Sequence, residues 1–171
     1  TGYRNLMELV SRAQLEGFYY RPRMDRELLE AHSDGIIALS GCPSGEVPRL
    51  LAQERAEDAR VAVDWYREVF DDRYYLELMQ HEGVASLPVI NQGLAGLARE
   101  TGIPVVATND THYTLQKEHT LHDILLCIQT NATIDDPKRL KFDSDSYYLK
   151  SEEEMAALWP ELPEAITNTQ R

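Results

Sequence analysis

Cysteine is scarce in this chain, since Cys42 and Cys127 are the only two among 171 residues. Two thiols cannot form the dense disulfide framework that stabilises many small secreted domains. The sequence therefore predicts a reduced protein, and we expect a cytoplasmic location.

Long apolar runs are also absent. No stretch approaches the roughly 18 to 20 apolar residues that a membrane-spanning helix needs, so we expect no membrane partner. The first residues, TGYR, lead into no apolar segment of the kind found in a signal peptide, and they include no initiator Met. We interpret the chain as a segment excised from a longer protein.

Basic residues are outnumbered, with 17 Lys and Arg against 29 Asp and Glu and a net charge of -12. Affinity for DNA depends mainly on Lys and Arg at phosphates, so we expect that this acidic segment does not bind DNA by itself. The hydrophobic fraction of 43% is sufficient for a buried core in a single domain. Gly-rich phosphate loops, Ser nucleophile elbows and Cys-x-x-Cys pairs are all missing.

Short apolar runs that alternate with helical stripes are the main pattern present. The runs at 35–40, 74–79 and 104–108 indicate buried strands, and the stripes at 56–70 and 87–101 indicate helices. This order implies two βαβ units and a parallel sheet, so the predicted fold class is α/β.

The remaining segments are predicted to be mostly helical. Predicted helices lie at 4–16, from Asp25 to His32, at 116–129 and at 152–158, and one further short strand lies at 147–149. Ser151 and Glu154 form a capping-box pattern at the start of the last helix.

Possible metal ligands follow all three predicted strands of the parallel sheet. Cys42 follows the first strand, His81 the second, and Asp110 with His112 the third. Sites in parallel α/β folds lie at these strand ends, and residues i and i+2 of an extended segment point to the same side. Thiolate, carboxylate and imidazole groups suit zinc or manganese, so the sequence predicts a metal site here.

Simpler interpretations of these residues stay open. Asp110 would cap a turn with His112 on the surface, Cys42 would be a small buried hydrophobe, and His81 would either support the metal ligands or be a loop residue. Cys127 lies in an apolar stretch and is predicted to be core.

Two further clusters are less specific. His119, His122 and Asp123 share a predicted helix, where solvated or capping roles are favoured over a site. Arg21, Arg23 and Arg26 would meet a phosphate or an acidic partner, but a solvated turn paired with Asp25 and Glu27 is favoured.

Several blocks of sequence, in order, resemble the alpha subunit of bacterial DNA polymerase III. They are GFYYRPR at 17–23, LSGC at 39–42, SGEVP at 44–48, ATNDTHY at 107–113, HDILLCIQT at 122–130 and YLKS at 148–151. The resemblance covers nearly the whole chain, which makes it more specific than any single motif.

The resemblance implies a PHP (polymerase and histidinol phosphatase) domain, whose fold is a distorted (β/α)7 barrel. Residues 1–171 would form its second half, with strand–helix units to about residue 113 and then a mostly helical segment. Cys42, Asp110 and His112 would be the later ligands of a cluster of divalent ions such as zinc, manganese or magnesium. The early ligands would lie before Thr1 and the polymerase carboxylates after Arg171, so we expect weak or no metal binding and no complete catalytic set here.

Three functions are consistent with this resemblance. The longer protein would replicate DNA and remove 3′ nucleotides at its PHP site. Alternatively, the domain would be a structural module that docks a proofreading subunit, in a protein that also meets the sliding clamp and DNA. A free-standing phosphatase is the third, and the block at 122–130 argues against it. Since a partial barrel leaves an open sheet edge, we also expect the isolated chain to self-associate.

Overall fold

The computed structural model describes residues 1–142 and 144–171. Its α-helices are α1 (Gly2–Leu15), α2 (Arg26–Ala31), α3 (Glu46–Ala52), α4 (Ala56–Phe70), α5 (Leu87–Thr101), α6 (His119–Thr130), α7 (Glu152–Leu158) and α8 (Glu164–Thr167). Its strands are β1 (Ala38–Leu39), β2 (Tyr74–Leu78) and β3 (Val105–Ala107), and short 3-10 turns lie at Asp71–Arg73, Gln116–Glu118 and Asn168–Gln170. Among these residues, no helix combines the length and apolar character needed to cross a bilayer.

The three strands form one parallel sheet in the order β1-β2-β3. Ala38 pairs with Tyr74, and Leu76 pairs with Val105. Helices α3 and α4 connect β1 to β2, and α5 connects β2 to β3. The structure therefore confirms the predicted α/β class and is consistent with part of a PHP-type (β/α) fold.

The core lies between the sheet and the apolar stripes of α4 and α5. Val63 and Phe70 of α4 and Leu94 of α5 pack in one buried cluster with Leu76 and Leu78 of β2. Helix α4 ends where Asp71 adopts a left-handed φ of 52°, and α5 ends at Gly102, whose φ is 74°. The predicted helical spacing is confirmed, because Ala59, Val63 and Phe70 of α4 and the four stripe positions of α5 are buried.

The C-terminal segment covers the outer edge of β3. The side-chain amide of Asn168 is buried and donates to the carbonyl of Val105 at 2.9 Å. Trp159 and Ala165 join the main core. Helix α7 begins with the predicted capping box, in which the Ser151 hydroxyl accepts from the Glu154 amide at 3.2 Å.

Two strand predictions need correction. The segment 35–40 was predicted to be a buried strand, but β1 has two residues, and Ile37 and Leu39 are exposed. Ile37 and Leu39 are two positions apart and point to the same face of the sheet, and that face is exposed at β1. The predicted strand at 147–149 is a single parallel bridge between Tyr113 and Tyr148.

Candidate functional site

The carboxyl ends of the three strands meet at one edge of the sheet and are joined by polar side chains. The amide of Glu77 in β2 donates to the Ser40 hydroxyl at 2.9 Å, just after β1. The Thr108 hydroxyl, just after β3, donates to the Glu77 carboxylate at 2.7 Å. Glu77 therefore links the segments that lead to Cys42 on one side and to Asp110 on the other.

Asp110 and His112 lie together, as their spacing predicts. Nε2 of His112 is 3.4 Å from Oδ1 of Asp110, and both side chains are partly exposed. The backbone route differs from the predicted extended segment, because Asp110 has a left-handed φ of 44°. A carboxylate and an imidazole thus face one point through a turn, which keeps both groups accessible to an incoming ion or substrate.

A group of rings surrounds His112. Its ring centroid is 4.8 Å from that of Phe142, 5.4 Å from that of His122 and 5.8 Å from that of Tyr147. Its backbone amide donates to the Tyr147 carbonyl at 2.8 Å. The imidazole is therefore fixed from several directions while one edge faces Asp110.

His81 is buried behind this pair. Its ring stacks on Tyr147 with centroids 3.9 Å apart, and Nδ1 lies 2.7 Å from the Ser146 hydroxyl. Burial, and then the charge of Lys150, lowers the pKa of His81 below its ordinary 6.5, although the Asp110 carboxylate opposes this. The neutral imidazole is therefore favoured, and its buried Nε2 has no hydrogen-bond partner among the residues that the structure describes.

Cys42 is exposed in the loop that follows β1. Gly41 before it has a left-handed φ of 85°, and the Gly45 amide closes the turn by donating to the Cys42 carbonyl at 2.7 Å. Since β2 lies between β1 and β3, the backbones that lead to Cys42 and Asp110 are two strand spacings apart, about 10 Å. Across residues 1–142 and 144–171, no group of three His, Cys, Asp or Glu side chains is arranged to hold a metal ion. A ligand role for Cys42, Asp110 and His112 stays a prediction.

Asn109 is an important residue that the sequence patterns missed. It is buried, and its amide donates to the carbonyls of Ser146 at 2.8 Å and Tyr148 at 2.7 Å. Its Oδ1 accepts from the Lys150 ammonium group at 3.1 Å. Asn109 thus fastens the segment at 144–150 to the end of β3, immediately before Asp110.

Lys150 completes this attachment. Its ammonium group also donates to the Ser146 carbonyl and lies 4.2 Å from the centre of the Tyr148 ring. Burial lowers the pKa of Lys150, with the charge of Glu154 opposing. The Lys150 ammonium group is bonded to Asn109, the residue before Asp110, and its charge acts on His81.

A cleft of about 330 Å³ lies beside His112 and is lined in part by His119, His122, Asp123 and Phe142. Burial lowers the pKa of His122, as does the nearby His112.

The solvated or capping roles that the sequence favoured are wrong for Asp123. Its two oxygens pair with the guanidinium group of Arg139, whose side chain is only 8% exposed. Cys127 is buried, as predicted.

The Asp123–Arg139 pair should make the free energy of unfolding depend on pH in the acid range. The hydrogen bond from Arg139 lowers the pKa of Asp123 below its ordinary 3.8. The folded chain then binds fewer protons than the unfolded chain, so this group stabilises the fold above about pH 3.8, and the stabilisation is lost as the pH falls through the folded pKa.

We therefore expect Asp123→Asn to make the free energy of unfolding depend less on pH in urea titrations between about pH 2 and pH 5. Asp72→Asn, at an exposed carboxyl group, is the control and should keep the wild-type slope. Equal slopes for Asp123→Asn and wild type would contradict the assignment.

In the cluster of Arg21, Arg23 and Arg26, at least Arg26 is not free to bind an anion. Arg26 pairs with Glu46 of α3 at 2.8 Å and lies over the Trp65 ring at 4.6 Å. The predicted partners Asp25 and Glu27 are therefore wrong for Arg26, and Asp25 instead caps α2 through the Leu28 amide at 2.9 Å. The pairing joins α2 to α3 and α4, close to the loop of Cys42.

Comparison with known proteins agrees with the resemblance in the sequence. Residues 1–81 match the PHP domain family. The chain is 45% identical over 170 residues to DNA polymerase III subunit alpha of Borreliella burgdorferi, which covers 99% of the chain and 15% of that protein. It is 48% identical over 172 residues to the same subunit of Treponema pallidum, a match that covers 100% of the chain and 15% of that protein. It is 45% identical over 161 residues to the subunit of Thermus aquaticus, a match that covers 94% of the chain and 13% of that protein.

The chain spans about 15% of the length of the first two of these relatives. Identity over nearly all of the chain, at 45% or more, confirms the family that the sequence blocks indicated. The chain is therefore related, over nearly its whole length, to a region of the bacterial DNA polymerase III alpha subunit, and its first 81 residues match the PHP domain family.

Proposed function

We propose that this chain is a segment of a bacterial replicative DNA polymerase and that its strand-end residues contribute to a divalent metal site that removes 3′ nucleotides from DNA. The observation that carries the proposal is the Asp110–His112 pair, with 3.4 Å between Nε2 and Oδ1, at the end of β3. The same proposal places the longer protein in the bacterial cytoplasm, acting on DNA together with other replication subunits.

The donor chemistry fits a divalent ion. Asp110 offers a carboxylate oxygen, His112 an imidazole nitrogen and Cys42 an exposed thiol, which are ligand types for zinc and, without the thiol, for manganese or magnesium. The buried Nε2 of His81, for which the described residues supply no hydrogen-bond partner, adds a polar atom behind the pair. A bound ion would supply an activated water for phosphodiester hydrolysis.

The protein's own side chains would position the site and the substrate. Glu77 holds the two outer strand ends together, and Asn109 fixes the segment that packs on His81 and His112. Lys150, bonded to Asn109 and close to His81, would supply a positive charge suited to a phosphate oxygen. The remaining metal ligands would come from parts of the polypeptide outside these 171 residues.

Metal content tests this proposal. In the longer alpha subunit, purified without chelator, we expect Asp110→Asn to lower bound metal and the 3′-exonuclease rate by about tenfold or more. In the isolated chain we expect metal well below one ion per molecule. Elemental analysis and single-turnover digestion of a 3′-labelled strand are the measurements.

The control for this experiment is Asp34→Asn, which removes an exposed carboxylate elsewhere. It should match wild type in both measurements. If Asp110→Asn also matches wild type in metal content and exonuclease rate, the proposed metal role of the pair is wrong.

A structural docking module is the second candidate. The net charge of -12 is compatible with it. It predicts that the longer protein polymerises DNA normally, does not cleave it, and binds a separate proofreading subunit through this domain. A free-standing phosphatase has little support, because the identity to polymerase subunits extends over 94% or more of the chain.

A further inference from the structure

Helix α6 presents an uncovered apolar face. Leu121, Ile124, Leu125 and Ile128 follow the i, i+3, i+4, i+7 spacing of one helix face, and they are between 46% and 72% exposed. The opposite side of α6 buries Leu126. The helix is therefore fixed to the protein by one side while a row of large aliphatic side chains faces solvent on the other.

The loop after α6 also exposes apolar side chains. Arg139 bonds to Asp123 of α6 and to the carbonyls of Ile134 and Leu140. Ile134 and Leu140 are themselves about half exposed. A continuous row of exposed aliphatic side chains, such as the row on α6, marks a contact surface.

The charge pattern indicates a permanent contact. Asp123 is the one Asp, Glu, Lys or Arg residue in α6, and it is occupied by Arg139. Helix α1 also exposes apolar residues, but it carries charged groups such as Arg4 and Glu8 among them. Permanent interfaces are more apolar than transient ones, which retain charged groups, so α6 is the better candidate for lasting burial.

We propose that the α6 face is covered by another part of the same polypeptide, within the longer alpha subunit. The inference rests on the proposed function, in which the chain is a segment of that subunit. About 85% of each of the first two relatives lies outside the matched region, so a large amount of chain is available to cover the face. The contact would be an uncharged surface that receives Leu121, Leu125 and Ile128.

Thiol labelling can measure this burial directly. Leu125→Cys and, as a second variant, Ile128→Cys are made both in the isolated chain and in the longer alpha subunit. Maleimide labelling is followed peptide by peptide with mass spectrometry, which separates the new thiols from Cys42 and Cys127. The control is Val61→Cys on α4, a position 66% exposed.

We expect each α6 thiol to be labelled about tenfold or more slowly in the longer protein than in the isolated chain, because a covered thiol reacts only when the contact opens. Val61→Cys should be labelled at similar rates in both. Equal rates at the α6 positions would overturn the proposal. So would protection that appears only in the isolated chain and increases with its concentration, since a second copy would then be the occupant.

The labelling result is independent of the metal measurements. Protection of α6 in a longer protein that keeps its metal after Asp110→Asn would support the contact and contradict the metal role. Loss of metal after Asp110→Asn without protection of α6 would do the reverse.

Discussion

Asn109→Ala should lower the free energy of unfolding by about 2–4 kcal/mol, because three hydrogen bonds of a buried side chain are lost together. The lost bonds are those to Ser146 and Tyr148, at 2.8 and 2.7 Å, and that from Lys150 at 3.1 Å. Urea denaturation followed by circular dichroism measures the change.

Asn91→Ala is the matched control for this prediction. Its amide makes one hydrogen bond, to the Met79 carbonyl at 2.7 Å, so its loss should cost about 1 kcal/mol. If both variants lose the same small amount, Asn109 does not hold the segment at 144–150. That segment packs on His81 and His112, so Asn109→Ala should also increase proteolysis between residues 142 and 150.

Gly45→Ala is the second substitution with a large expected effect. A Cβ at Gly45 would lie 2.5 Å from the Ser40 carbonyl oxygen and 3.1 Å from that of Cys42. The backbone of Gly45 has an ordinary φ of -61°, so the cost comes from lack of space and not from conformation. We expect a loss of about 1–3 kcal/mol in unfolding free energy as the loop of Cys42 shifts.

Gly96→Ala is a control of opposite sign. Gly96 lies inside α5, and a Cβ there meets no atom within 4 Å. Alanine forms helices more readily than glycine, so the variant should gain about 0.5–1 kcal/mol. Thermal unfolding of the two variants side by side should shift the midpoint in opposite directions. A neutral Gly45→Ala would mean that the Cys42 loop is not tightly packed.

Local sequence patterns predict the central elements of this fold well. The core buries the regularly spaced apolar residues of α4 and α5 and the short apolar runs of β2 and β3. Burial therefore explains the patterns from which these elements were predicted. The proximity of Asp110 and His112 could be predicted because they are two positions apart in the sequence, although a left-handed turn and not an extended segment brings them together.

Contacts between distant residues explain what the sequence could not show. Asn109 bonds to residues 37 to 41 positions away, and His81 bonds to Ser146 across 65 positions. The pairing of Asp123 with Arg139 spans 16 positions. No local period or spacing encodes such pairs. The exposure of β1 has a similar origin, because an apolar run does not reveal whether a distant element covers the face to which its side chains point.

The attachment of the segment at 144–150 has a consequence for synthesis on the ribosome. Tyr148 is translated 39 residues after Asn109, to which it bonds. At bacterial elongation rates of about 5–20 residues per second, the end of β3 waits roughly 2–8 seconds for its partner. During that interval the Asn109 amide lacks its two carbonyl partners and the His81 ring lacks Tyr147. Both side chains would have to be hydrated by water, or bound by a chaperone, until the later segment emerges.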